Sequence, residues 1–110
     1  MTAHAREVSA IRKYVQILGG VANVTHQGPG PRKRGGGRGA WATPGIPDLY
    51  VQPPPGLGPP FWVEVKVGRD TLSEAQRDFI EREVACGGAP VIVGGLNDVE
   101  ARFAQKLWAR

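Results

Sequence analysis

Three observations predict a single α/β domain. Residues 61–67 alternate strictly along a strand, two stretches at 7–18 and 71–87 repeat apolar residues at helical spacing, and glycine- and proline-rich breaks separate them. The order reads helix, three strands, helix, strand, helix. At 110 residues the chain has room for one modest core, and its 41% hydrophobic content argues against disorder.

Residues 7–18 form the first predicted helix. Val8, Ile11, Val15 and Leu18 recur on one face and Tyr14 widens it. Glu7 borders this stripe and reads as a first-turn acid favoured by the helix dipole. His4, on the same side, reads as a packing or solvent residue. Gly19-Gly20 ends the helix, and residues 21–25 form a short strand in which Val21 and Val24 point to opposite faces.

Residues 26–47 are mostly Gly, Pro and Arg, a long loop for a compact domain. The loop carries Arg32, Lys33, Arg34 and Arg38 and no acid, which accounts for the whole net charge of +4. Concentrated cationic charge suggests a polyanionic partner, nucleic acid first, although a solvated loop that aids solubility explains it equally well. Trp41 either stacks on a base or pins the loop to the body.

The second strand follows the turn at Ile46-Pro47. Leu49 and Val51 point one way, Asp48 and Tyr50 the other. Prolines and glycines between Pro53 and Pro60 make the tip of a hairpin. In the third strand Phe61, Val63, Val65 and Val67 line an apolar face, while Trp62, Glu64 and Lys66 share the other. If the two strands pair antiparallel, the apolar faces match only when Asp48 lies opposite Trp62, Glu64 or Lys66. Core formation thus draws Asp48 to the face that carries Glu64 and Lys66.

For the helix within 71–87, Ser73 is the N-cap, Gln76 completes a capping box, and Leu72, Ala75, Phe79, Ile80 and Val84 form the buried stripe. Gln76 falls inside that stripe, so a site role competes with the capping role. Gly87-Gly88 stops the helix, 90–93 reads as a buried strand, and Asn97 caps a last helix whose Val99, Phe103 and Leu107 face inward with Trp108 packed near its end.

No run approaches the roughly 18 apolar residues of a membrane span, and the N-terminus lacks a signal-peptide core, so a soluble, cytoplasmic protein is expected. The single cysteine, Cys86, excludes internal disulfides and multi-cysteine zinc sites and fits a reducing compartment.

Two carboxylates drawn together resist ionising unless a cation compensates. Asp48 and Glu64 therefore suit magnesium or manganese, which bind through one or two carboxylates plus waters and substrate phosphate. Such an ion lowers the pKa of a bound water and shields the phosphate it attacks. Lys66 can orient that water or stabilise charge building on phosphate, Gln76 can hold Lys66 or a phosphate, and Glu7 can add an outer ligand. The competing explanation is an ordinary hairpin with a surface Asp-Lys-Glu cluster.

The ordered set Gly45-Ile46-Pro47-Asp48, Glu64-Val65-Lys66 and Leu72-Ser73-Glu74-Ala75-Gln76 resembles the signature of the VRR-NUC family, within the PD-(D/E)XK nuclease superfamily. Glu7 in an early helix, and a Gly-Gly followed by a Val-rich strand, extend the resemblance over nearly the whole chain. It implies a restriction-endonuclease-like α-β-β-β-α-β core, a mixed sheet flanked by helices, with a C-terminal helix added. It also implies a divalent-metal endonuclease in which Asp48, Glu64 and the backbone carbonyl of Val65 hold Mg2+ or Mn2+, Lys66 is the catalytic lysine, Gln76 the site glutamine and Glu7 the accessory acid. Small stand-alone members resemble phage proteins, placed in a host cytoplasm, that form homodimers and cut structured DNA, junctions among them. The long Gly-Arg loop departs from that pattern. Two alternatives stand beside a nuclease: a nucleic-acid-binding module that keeps the fold without cutting, and a structural dimer with no nucleic acid.

Overall fold

The computed structural model describes residues 1–25 and 43–108, with side chains as far as residue 105. Among the described residues the elements run α1 (Ala3–Leu18), β1 (Val21–Val24), β2 (Leu49–Gln52), β3 (Phe61–Val65), α2 (Glu74–Cys86), β4 (Val91–Gly94) and α3 (Leu96–Trp108). This is the α-β-β-β-α-β order expected, followed by the added helix. The basic residues Arg32, Lys33, Arg34 and Arg38, together with Trp41, lie outside the described residues, as do the side chains of Leu107 and Trp108.

One mixed sheet has the order β1-β2-β3-β4. The first two pairings are antiparallel, and β3 and β4 run parallel because α2 carries the chain back across the sheet. The β2–β3 register sets Leu49 against Val63 and Tyr50 against Trp62, so continuing it by one residue places Asp48 opposite Glu64. This is the middle of the three registers that the apolar faces allow.

Phe61, Val63 and Val65 point to one face, where they meet Leu49 and Val51 of β2, Ile11 and Val15 of α1, and Val99 and Phe103 of α3. The Phe103 ring sits 5.7 Å from Phe61 and 6.0 Å from Tyr14, and the Arg102 guanidinium lies 4.6 Å above Phe61. This dense apolar layer holds β3 flat against two helices.

The opposite face carries Trp62 and Glu64 and is covered by α2. Phe79, the buried residue of this helix, meets Trp62 edge to face at 5.3 Å, and the Trp62 indole donates to Glu83 Oε1 at 3.1 Å. Here the structure corrects the predicted stripe: Val84 is 75% exposed. The helix runs from Gln76, over Glu64, to Glu83, over Trp62, so its last turn passes beyond the start of β3.

Helix starts and strand ends are corrected as well. α1 begins at Ala3, because Thr2 supplies the N-cap by accepting from the Ala5 amide at 3.0 Å. Its first turn therefore holds no acid, and Glu7 is not a first-turn residue. α3 begins at Leu96, which puts Asn97 inside the helix; Asp98 instead accepts from the Gly95 amide at 2.9 Å. In β1 it is Ala22 that is buried, while Val21 and Val24 are both exposed along the sheet edge. β3 ends at Val65, although the Lys66 amide still donates to the Gly94 carbonyl at 2.9 Å.

Candidate active site

The candidate site lies where β2 begins and β3 ends. Asp48 precedes the first residue of β2, and its position is set from three directions. The Thr25 amide donates to the Asp48 carbonyl at 3.1 Å, and the Thr25 hydroxyl donates to the carbonyls of Pro47 and Asp48. On the far side, Gly45 passes so close to α2 that a Cβ there would collide with the Ala75 carbonyl, and its φ of 77° is left-handed. Gly45 thus seats the turn on the α2 N-terminus, beside Gln76. The third contact is to the side chain: Asp48 Oδ2 accepts from the Val65 amide at 2.8 Å.

That bond also orients Val65. A strand residue points its N–H and C=O to the same edge, so the Val65 carbonyl looks toward Asp48. It is on the side where a cation shared with Asp48 would find it.

Glu64 is the buried charged residue among the described residues, only 3% exposed. Gln76 Nε2 donates to its Oε2 at 2.8 Å, and Lys66 Nζ lies 3.5 Å from the same oxygen. The other oxygen, Oε1, is buried with no hydrogen-bond partner among the described residues. Burial first, and then the neighbouring Asp48 charge, push the Glu64 carboxyl up to about 7, against the opposing pull of Lys66. A buried carboxylate with one oxygen lacking a donor, and a second carboxylate beside it, fits a cation. No set of three or more His, Cys, Asp and Glu side chains converges as a cation site among the described residues. The two carboxylates and a main-chain carbonyl leave positions for water and phosphate, which suits Mg2+ or Mn2+ better than a closed protein cage.

Gln76 links helix and site. Its Oε1 accepts from the Ser73 amide at 2.8 Å, completing the capping box, and also from Lys66 Nζ at 3.1 Å, while its Nε2 holds Glu64. Capping and site roles, competing readings in the sequence, are one network. The same atoms that start α2 fix the lysine and the acid.

Asp48, Glu64, Lys66 and Gln76 are therefore brought together as the sequence predicted. Glu7 has a different place. Its Oε2 accepts from the Leu96 amide at 2.6 Å, so it caps α3, which follows the end of β4 beside Val65. It does serve a helix N-terminus, but that of α3 rather than its own. His4, which the sequence reads as a packing or solvent residue, instead has its Nε2 3.3 Å from Asp48 Oδ2. Its position on the helix side shared with Glu7 was the available signal.

No family model matches the chain, and no curated protein matches it. A solved structure described as a VRR_NUC domain does match, with 24% sequence identity and a TM-score of 0.61, over 92% of this chain and 94% of that one. The chain thus shares its fold with that VRR_NUC domain.

Proposed function

We propose that the protein is a divalent-metal-dependent endonuclease that hydrolyses DNA phosphodiester bonds, with a preference for branched or junction DNA and a homodimeric assembly presenting two sites. The observation that carries the chemistry is the buried Glu64 carboxyl, whose Oε1 has no donor among the described residues, beside the Asp48 carboxyl and with Lys66 tied to it. The fold shared with a VRR_NUC domain supports the reading, as does the expectation of DNA as partner drawn from the signature residues.

Asp48, Glu64 and the Val65 carbonyl would hold Mg2+ or Mn2+. When bound, the cation supplies Lewis acidity to the phosphate and acidifies water near it. Lys66 has three N–H bonds; Gln76 Oε1 takes one and Glu64 Oε2 orients a second. The remaining one is available to a phosphate oxygen as negative charge develops. Gln76 keeps this lysine from swinging to solvent. Arg32, Lys33, Arg34 and Arg38 are proposed to bind the DNA backbone; on one side of their segment Thr25 bonds the Asp48 carbonyl, and on the other the chain from Thr43 leads through Gly45 into the Asp48 turn.

The test is incubation with branched and linear DNA in the presence of Mn2+. Cleavage is expected to vanish with a chelator and to fall about 100- to 1000-fold in Lys66→Ala. No cleavage above the level of that variant would refute an enzymatic role. Salt-sensitive binding that survives Asp48→Ala and Glu64→Ala, but weakens when the four loop cations are neutralised, would instead identify a non-catalytic binding module.

A further inference from the structure

We infer that His4 is a positioning residue of the metal site, holding Asp48 Oδ2 so that the other oxygen of this carboxylate is presented to a cation shared with Glu64 Oε1. The inference rests on the metal-dependent reading above. It adds a residue from α1, the helix that also carries the Glu7 cap.

Both nitrogen contacts of the Asp48 side chain end on Oδ2, the Val65 amide at 2.8 Å and His4 Nε2 at 3.3 Å, and the carboxyl also lies against that of Glu64. An ionised carboxylate only accepts, so with Nε2 carrying the hydrogen the imidazole donates. Glu64 is arranged in the same way, with Gln76 and Lys66 both on Oε2 and Oε1 left over. Each acid therefore has one oxygen anchored by the protein. Groups that anchor metal-binding carboxylates in this fashion commonly contribute ten- to a hundredfold in affinity. The His4 contact is long and its side chain is 43% exposed, which places the expected effect at the low end.

His4 reaches Asp48 because α1 starts early. With Thr2 as the cap, His4 lies in the first turn, and its helix is fixed by Ile11 and Val15 in the core. A helix beginning at Glu7 would have left the histidine in an unstructured lead.

Mn2+ binding to the intact protein, measured by calorimetry without DNA, tests the role. His4→Ala should weaken binding about tenfold and His4→Gln, which keeps an N–H donor, should return to within about threefold of wild type. In metal-free protein, Asp48→Asn should shift the His4 imidazole nitrogen resonances. Unchanged affinity in His4→Ala, alongside lost affinity in Asp48→Ala and Glu64→Ala, would overturn the role of His4 alone. A Gln variant as weak as the Ala variant would overturn it by making the imidazole a direct ligand. A wild-type protein that binds no Mn2+ would end the metal reading and this role together, whatever the resonances report.

Discussion

Glu64→Gln should make the metal-free protein more stable at neutral pH while abolishing metal binding. The Glu64 carboxyl is raised from 4.5 to about 7, chiefly by burial and next by Asp48. A raised carboxyl means that the folded state holds its proton more tightly than the unfolded chain does. Stability is then full below about pH 4.5 and declines as pH climbs through about 7, by ~3 kcal/mol in all for this group. Glutamine has nearly the same shape and no charge, so it should escape the decline, less about 1 kcal/mol for an amide that meets the partnerless position of Oε1. Urea denaturation in chelator between about pH 4.5 and 8 reads both curves. The wild type should lose ~3 kcal/mol more than the variant across that range. Mn2+ at about a hundred times its dissociation constant should restore ~2.7 kcal/mol to the wild type at the alkaline end and nothing to Glu64→Gln. Parallel curves for the two proteins would refute the idea that the site stores an uncompensated charge.

Gln76 and Gly45 give two further tests. Gln76→Ala removes the capping box and the donor to Glu64, and should cost about 2–4 kcal/mol at neutral pH. Gln76→Glu keeps the box but sets a carboxylate 2.8 Å from Glu64 Oε2, so urea denaturation should show it destabilised at pH ~8 and recovering below pH ~5. If it tracked the alanine variant at both pH values, the site role of Gln76 would fail. Gly45→Ala drives a methyl into the Ala75 carbonyl at positive φ, whereas Gly56→Ala meets nothing within 4 Å at a similar φ of 91°. The former should lower stability by clearly more than the ~1–2 kcal/mol of the latter and weaken Mn2+ binding as Asp48 moves. Equal losses, with Mn2+ affinity intact, would remove Gly45 from the account of the site.

The most legible part of the molecule in its sequence was the β2–β3 hairpin. Strict alternation in 61–67 and the pair Leu49 and Val51 determine which side chains share a face, and only three registers keep both apolar sets together. The pairing of Asp48 with Glu64 is one of these. The α2 start was equally readable, because Ser73 and Gln76 form a local motif whose geometry depends on four consecutive residues. Val84 was misread because helical spacing says which residues share a side, not how far the neighbouring sheet extends. Glu7 and Asn97 were misread together: α3 is capped by an acid 89 positions away, which no local pattern records.

By itself, then, the sequence determined the α/β order, the two apolar faces, the face shared by Asp48, Glu64 and Lys66, and the place of Gln76 in the α2 stripe, since these follow from periodicities of two and 3.6 residues and from short capping motifs. Only the tertiary structure decided which of the allowed registers is used, that one Gln76 amide serves both helix and site, that Glu64 keeps a buried oxygen without a donor, and that His4 rather than Glu7 contacts Asp48. Those features depend on distances between elements that are packed together but far apart in the chain. Such distances are set by packing on both faces of the sheet, against α1 and α3 on one and α2 on the other, a property of all the side chains at once.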